Sequence, residues 1–396
     1  METTNLHANF PSEEIIIFPD ANFKKLLLER LSIKPKIEGE ITFEEAAAYC
    51  EEINVSTDSN FDFSAKITDL SGIEYFHNIT KLDCSGNYLQ KLDVSKNIKL
   101  KKLNCAHNSI VFLDMRQNTA LKKLNCMFNK IVHINLSKNK KLKKLRFDGN
   151  QIATLDIRKN CKLIDLSCSN CSILQLDVSK NLQLKDLYCQ KNHLTQLDVS
   201  KNLKLKHLYC QDNQLTQLDV SKSQQLKHLD CNDNQLTQLD VSQNRKLIFF
   251  DCNDNQLTHL DVSQNWVLKR FYCNDNQLTQ IDVRLSPRLE SLDCSYNVLS
   301  TLDVRQNQKL RQLDCSGNKL SSLDVSQNSW LLRFMCHNNL LTDLDLSQNR
   351  RLETVWCSDN NISSIKTNKT FPPSSLNKDA STTIHKLTLA GDDQLR

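Results

Sequence analysis

The sequence lacks any long hydrophobic run. Nowhere in its 396 residues is there a stretch of about 20 apolar residues, the length that a membrane-spanning helix needs. The opening stretch METTNLHANFPSEEIIIFPD has neither a basic segment nor the apolar run of a secretory signal. These absences predict a chain with no membrane span that is cytoplasmic, or exported without a classical signal peptide.

Cysteine, in contrast, is abundant and strictly spaced. Of 16 cysteines, 13 recur at intervals of 21 residues or a multiple of 21, and Phe147 takes the one missing position. A fixed period of this length indicates a repeat solenoid. The regular positions are Cys84, Cys105, Cys126, Cys168, Cys189, Cys210, Cys231, Cys252, Cys273, Cys294, Cys315, Cys336 and Cys357.

Each copy reads L-x-x-L-x-C-x-x-N-x-L-x-x-L-D-V-S-x-N, which is the leucine-rich-repeat spacing. The segment x-L-x-C alternates with period two, so Leu and Cys are predicted to point inward from a short strand. The asparagine three residues after each cysteine is predicted to bind backbone groups that the turn leaves unpaired. In one copy Cys171 replaces that asparagine.

The cysteine-containing 21-residue repeat resembles the internalin J type of bacterial leucine-rich-repeat protein. The resemblance implies an α/β repeat solenoid: a curved parallel β-sheet, an irregular convex side and a small helical N-terminal cap. The segments IFPDANFKKLLLE and EITFEEAAAYCEEI resemble such a cap. Unlike the surface-anchored relatives, the chain shows no cell-wall anchoring signature.

Five segments are predicted: a disordered N-terminus (1–14), a helical cap (15–60), a degenerate entry repeat (61–79), fourteen repeats (80–366) and a flexible C-terminal tail (367–396). Asp20 is a predicted N-cap, and Thr42 with Glu45 forms a predicted capping box. The loop between the cap helices, IKPKIEGEI, lacks the aspartate series of a calcium loop.

The cysteines are predicted to be reduced, buried thiols. Neighbours on adjacent strands have parallel Cα–Cβ vectors, which is poor disulfide geometry, and a buried free cysteine behaves as a small hydrophobic residue. The Cys168–Cys171 pair has the spacing of half a zinc site or of a redox pair, but no second pair accompanies it. No metal and no cofactor is expected.

Outward positions of the strands are predicted to form the binding surface. Residues 91–165 hold 18 lysines and arginines against five aspartates and no glutamate. The early copies therefore predict a patch for an anionic partner, hereafter the basic patch: Lys101, Lys102, Lys122, Lys123, Lys143, Lys144 and Arg146. Nucleic acid is disfavoured because no aromatic residues interleave with the lysines.

Later copies carry aromatic side chains of the types that dominate protein interfaces. The predicted partner-binding residues are Tyr188, Tyr209, His207, His228, Phe249, Tyr272 and Trp356. An enzymatic alternative rests on His207 and His228 with Asp230, or on a reactive thiol such as Cys171. Repetition alone produces such neighbours, so no catalytic residue is assigned.

The sequence therefore predicts non-catalytic recognition of another protein through the concave face of the solenoid. Two alternatives remain: an exported bacterial effector, or a binder of anionic surfaces through the basic patch.

Overall fold

The computed structural model describes residues 14–33, 35–57, 65–368 and 375–386. The predicted disordered N-terminus lies outside these residues, apart from Glu14. The chain divides into two compact units, Met1–His193 and Leu194–Arg396.

The first unit begins with two helices, α1 (Ala21–Arg30) and α2 (Phe43–Ala48). The Asp20 carboxylate accepts a hydrogen bond from the backbone N–H of Phe23 at 3.0 Å and caps α1. Thr42 and Glu45 form the reciprocal bonds of a capping box at α2. Both cap predictions are confirmed. None of the helices in the residues that the structure describes is long and apolar enough to span a bilayer.

Seven short parallel strands form the main sheet of this unit, in the order β1-β2-β3-β5-β7-β8-β9. They are β1 (Glu52–Asn54), β2 (Lys81–Asp83), β3 (Lys102–Asn104), β5 (Lys123–Asn125), β7 (Lys144–Arg146), β8 (Asp165–Ser167) and β9 (Asp186–Tyr188). On the opposite side, β4 (Phe112–Asp114) pairs with β6 (His133–Asn135).

The first strand lies inside the segment predicted to be a helical cap. Ile53 and Val55 are both fully buried and alternate with polar residues, which is the period of a strand. The predicted helical cap therefore also contains a strand, which pairs with β2. The predicted boundary at residue 60 lies outside the described residues.

The second unit continues the same pattern, and each strand is parallel to its neighbours in the order β10-β11-β12-β13-β14-β15-β16-β18-β20. The strands are β10 (His207–Tyr209), β11 (His228–Asp230), β12 (Phe249–Asp251), β13 (Arg270–Tyr272), β14 (Ser291–Asp293), β15 (Gln312–Asp314), β16 (Arg333–Met335), β18 (Thr354–Trp356) and β20 (Ser375–Asn377). A second sheet contains β17 (Asp343–Asp345), β19 (Ser364–Thr367) and β21 (Thr383–Lys386).

One prediction is corrected here for residues 375–386 of the predicted flexible tail, 367–396: β20 pairs with β18 and β21 pairs with β19, each adding one strand to a sheet. Residues 369–374 and 387–396 of that segment lie outside the described residues. The rest of each repeat is mostly irregular, as predicted, and some repeats add short strands there in the β4–β6 and β17–β19–β21 ladders. Exposed strand edges recruit further strands because their backbone groups are unpaired.

A left-handed turn follows every strand of the fourteen repeats. The second residue after the cysteine position has positive φ in all fourteen copies, and Asp212, Asp233, Asp254 and Asp275 are among them. Aspartate and asparagine tolerate this conformation better than most residues. The conformation therefore accounts for the row of aspartates just past the strands without a ligand.

Two buried side chains, asparagines in most of the repeats, complete the turns. Asn255 accepts a hydrogen bond from the backbone N–H of Leu236 at 2.9 Å, and its amide group donates to the carbonyl oxygens of Cys231 and Cys252 at 3.1 Å each. A second asparagine, whose role sequence reasoning missed, is more deeply buried: Asn244 donates to the carbonyl oxygens of Val220 and Ser223 at 3.0 Å. Both sets join adjacent repeats.

The single break in the first asparagine series is filled by a thiol. The Cys171 Sγ lies 3.4 Å from the carbonyl oxygen of Phe147 and 3.2 Å from that of Ser169, the kind of backbone acceptors that the asparagine amides use elsewhere. Burial raises the pKa of this thiol to about 11. The Cys168–Cys171 spacing is therefore explained by backbone hydrogen bonding, with both thiols buried.

The regular cysteines are buried and protonated. Burial raises the pKa of the regular cysteines other than Cys189. The pKa is about 12 for Cys105 and about 11 for Cys357. Only Cys50 and Cys161 are exposed among the 16. Iodoacetamide at pH 8 is therefore expected to add two adducts to the native protein and sixteen after denaturation, since the thiolate is the reactive form.

Intact-mass measurement with and without denaturant distinguishes these states. Rapid labelling of the regular cysteines in the native protein would contradict this packing. The burial of these thiols also removes their need for a reducing compartment, so they do not discriminate between the cytoplasmic and exported predictions.

Candidate recognition surface

The outward side chains of the second unit form two parallel rows, because the strand register places equivalent residues directly opposite each other. The first row contains His207, His228, Phe249 and Arg270. The second contains Tyr209, Asp230, Asp251 and Tyr272. Adjacent strands are about 4.8 Å apart. We call these eight residues the strand-face site.

Aromatic contacts connect the first row. The rings of His207 and His228 meet edge to face at 4.9 Å, and His228 stacks on Phe249 at 5.9 Å. Phe249 contacts the Tyr272 ring at 5.8 Å, and the Arg270 guanidinium lies 5.3 Å from the Phe249 ring centre. Such contacts hold rings in fixed orientations and present a pre-organised apolar surface.

The buried side chains beneath the strand-face site are larger than the leucines at the equivalent positions of most repeats. Phe250 and Phe271 replace the usual leucine at the inward position of β12 and β13, and their rings stack at 5.4 Å. Both are fully buried. The floor beneath Phe249 and Arg270 is therefore aromatic and closely packed.

The second row contains an acidic pair between two tyrosines. Asp230 and Asp251 lie opposite each other and are only 7% and 8% exposed. Among the residues that the structure describes, neither forms an ion pair. Asn232 N–H donates to Asp230 at 3.4 Å, and Asp251 accepts from Asn253 N–H at 3.2 Å and from the Asn232 side chain. Two like charges at such positions destabilise a sheet.

Both carboxyl groups of the acidic pair have raised pKa values. Burial, followed by repulsion from Asp251, raises the pKa of Asp230 to about 7. Burial is also the main cause that raises the pKa of Asp251 to about 6. Strongly shifted carboxylates mark candidate functional sites.

His228, in the first row, also contacts the second row. Its Nδ1 is 3.4 Å from the Tyr209 hydroxyl oxygen. Burial and the neighbouring His207 lower the pKa of His228, so the ring is neutral at pH 7. The first row therefore presents aromatic and imidazole rings that end at the Arg270 guanidinium, and the second row presents two carboxyl groups between two tyrosines.

The structure unites five of the seven predicted partner-binding residues: His207, His228, Phe249, Tyr209 and Tyr272. Trp356 lies four strands beyond Tyr272 and contacts His337 at 6.2 Å instead. Tyr188 belongs to the first unit. Sequence reasoning missed Arg270 as a member, and it missed the burial of the acidic pair. The substitution of Phe for Leu at residues 250 and 271 was the available signal.

The basic patch is in the first unit. Lys102, Lys123 and Lys144 lie directly opposite one another on β3, β5 and β7. Lys144 and Arg146 both contact the nearly buried carboxylate of Asp165, at 3.0 and 3.9 Å. Two of the seven predicted residues are therefore already paired.

The enzymatic alternative gains no geometric support. In the described ranges, no group of three or more His, Cys, Asp or Glu side chains is arranged to hold a metal ion. A groove of about 600 Å³ lies elsewhere in the second unit. Its guanidinium groups are neutralised within their own repeats, where Arg284 and Arg305 each bind the aspartate two residues earlier at 2.8 Å.

Comparison with solved structures agrees with the repeat architecture. The functional domain of InlJ from Listeria monocytogenes, which includes a cysteine ladder, is 31% identical with a TM-score of 0.73, covering 88% of this chain and 74% of that chain. A leucine-rich-repeat protein of Leptospira interrogans is 23% identical with a TM-score of 0.70, covering 81% and 93%. The ectodomain of a receptor kinase from Arabidopsis thaliana is 18% identical with a TM-score of 0.60, covering 80% and 49%. The last two show the fold alone.

The fold thus defines a leucine-rich-repeat protein. With 31% identity to InlJ over most of both chains, the protein belongs to the internalin family, in its cysteine-ladder form. No family model and no curated protein matches the sequence.

Proposed function

We propose that the protein is a non-catalytic recognition module that binds another protein through the strand-face site of its second unit. The observation that carries the proposal is the buried Asp230–Asp251 pair, which has no cation partner among the described residues and lies between Tyr209 and Tyr272.

The chemistry of the site favours a partner that presents an arginine or lysine side chain. A guanidinium between the tyrosines would neutralise the carboxylates, and its apolar stem would pack on the rings. Tyrosine and arginine are also the residue types that contribute most to protein interfaces. Among the structural neighbours, the Arabidopsis receptor ectodomain was solved in complex with Casparian strip integrity factor 2.

Recognition explains the site better than catalysis does. The His228 ring packs between His207 and Phe249, and its Nδ1 faces a tyrosine hydroxyl. An enzyme would need a base directed at an open pocket. The strand-face site instead presents rigid rings on short strands.

The proposal is tested by affinity capture followed by quantitative binding of the captured protein. Combining Tyr209→Ala with Tyr272→Ala is expected to weaken binding by at least about 30-fold, since two central aromatic contacts are removed. Tyr296→Ala is the matched control, because Tyr296 is exposed but lies in a turn outside the strands.

Retained binding in the double variant would reject the strand-face site. Loss in the double variant and in the control alike would point to misfolding, which circular dichroism checks. A partner lost only when the basic patch is altered would move the interface to the first unit.

A further inference from the structure

The basic patch contains an unpaired core. Lys144 is paired with Asp165 at one end of the row, and Lys81 is paired with Glu52 at 2.9 Å at the other end. Between these ends, no ion pair is formed within the described residues by Lys101, Lys102, Lys122, Lys123 or Lys143. We call these five residues the lysine lattice.

Backbone register fixes the lattice. Lys102 lies opposite Lys123. The N–H of Lys122 bonds the carbonyl of Lys101, and the N–H of Lys143 bonds that of Lys122, each at 2.8 Å. All five side chains are exposed. The lattice therefore has two columns over three successive repeats, and its length is about 9.6 Å at a strand spacing of about 4.8 Å.

Adjacent like charges oppose folding, and the chain relieves this repulsion at both ends of the row but not between them. A ligand with matching negative charges would relieve the remainder. Its charges would need to repeat at about the strand spacing and in two columns.

We propose that the lysine lattice binds an acidic α-helix of a protein partner, with the helix axis lying across the strands. Glutamates at i, i+3, i+4 and i+7 form a stripe two columns wide that spans about 10.5 Å, close to the length of the lattice. One helical turn of about 5.4 Å then advances by nearly one strand.

Other polyanions fit less well. An extended peptide places the side chains of one face about 6.7 Å apart. The lysines repeat at about 4.8 Å, so the second acidic side chain of such a peptide would no longer lie opposite a lysine. A single-stranded nucleic acid would need aromatic rings for its bases. The third strand positions here are Asn104 and Asn125, which are not aromatic. The aromatic rings in the turns after these strands, His107 and Phe128, stack on each other at 4.7 Å and do not alternate with the lysines.

The test uses fluorescence anisotropy with two alanine-based helical peptides of equal charge. One carries glutamates at i, i+3, i+4 and i+7, and the other distributes the same glutamates around the helix. The striped peptide is expected to bind at least about tenfold more tightly, with an affinity that falls as salt rises. Circular dichroism confirms equal helicity of the two peptides.

Variants of the full chain locate the site. Lys102→Ala combined with Lys123→Ala is expected to reduce the affinity for the striped peptide by about tenfold, because two central charges are lost. Lys81→Ala is the matched control, since Lys81 shares the same row but is paired with Glu52. Tyr209→Ala with Tyr272→Ala leaves this binding unchanged, which separates this inference from the proposed function.

Equal affinity for the two peptides would overturn the helix geometry. Tighter binding of single-stranded DNA of equal charge than of the striped peptide would replace the protein ligand with nucleic acid. An equal loss in the Lys81→Ala control would reject the lattice as a defined site.

Discussion

Replacing Asn255 with alanine is expected to lower the free energy of unfolding of the second unit by about 3–5 kcal/mol. The side chain accepts one backbone N–H and donates to carbonyl oxygens in two adjacent repeats, including Cys231 and Cys252. Alanine leaves these buried groups without partners, and each loss costs about 1–3 kcal/mol. Denaturant unfolding followed by circular dichroism measures the difference.

Gln256→Ala provides the matched control. Gln256 is the next residue and is exposed, and the only hydrogen bond described for it is from its backbone N–H to the Leu236 carbonyl, which alanine retains. Its effect should stay within about 0.5 kcal/mol. If both variants lose the same stability, the asparagine bonds are not the source of the stabilisation. A loss confined to Asn255→Ala supports the connection between repeats as the basis of cooperativity.

Replacing Asp230 with asparagine is expected to stabilise the protein by roughly 2–4 kcal/mol at pH 8 and by almost nothing at pH 4. Burial, then Asp251, raises the pKa of Asp230 in the folded state to about 7, against an ordinary value of 3.8. Between these pH values the folded state binds more protons than the unfolded state. Stability therefore falls as the pH rises through this range, and asparagine removes the part of this dependence that Asp230 contributes.

Asp219→Asn gives a control of opposite sign. Hydrogen bonds from the side chain and the backbone N–H of Ser221 lower the pKa of Asp219 in the folded state. The stabilisation of the folded protein by ionised Asp219 is present above the ordinary carboxylate pKa and is lost as the pH falls. Asp219→Asn should therefore lower the free energy of unfolding at pH 8. Unfolding curves of both variants and of the unaltered protein at pH 4, 6 and 8 measure these changes in stability. A pH-independent effect of Asp230→Asn would reject the raised pKa.

The acidic pair links stability to the proposed function. Because burying Asp230 and Asp251 together is unfavourable for the isolated chain, a partner cation would gain from both carboxylates at once. The exposed Asp212 and Asp233 add to the repulsion on Asp230. The same substitution that stabilises the fold is therefore expected to weaken partner binding, as is common for functional sites.

The repeat length, the inward leucines and cysteines, and the caps at Asp20 and Thr42 could be predicted from the sequence. Each is encoded locally: a period of 21 residues, a two-residue alternation, and a side chain within three residues of its bond partner. The register of the strands then follows from the period. The two outward rows were therefore also foreseeable as lists of residues.

Other features depend on contacts between residues far apart in the chain. The C-terminal strands β20 and β21 have weak local signals and gain their pairing from β18 and β19. The first strand depends likewise on β2. The sequence spacing of Cys171 is compatible with a metal-binding or redox cysteine. Its role became clear only from the backbone carbonyl groups that its thiol contacts in the folded chain.

The family, the repeat and the identity of the outward residues follow from the amino-acid sequence, because stacked copies of one repeat place equivalent residues in rows. Which charges stay unpaired depends on the three-dimensional packing of the strands. Among the described residues, Lys144 pairs with Asp165 one strand away and Lys123 forms no ion pair, while Asp230 faces Asp251 and both are nearly buried. Desolvation and pairing depend on what the neighbouring strands place within a few ångströms, and composition does not contain those distances.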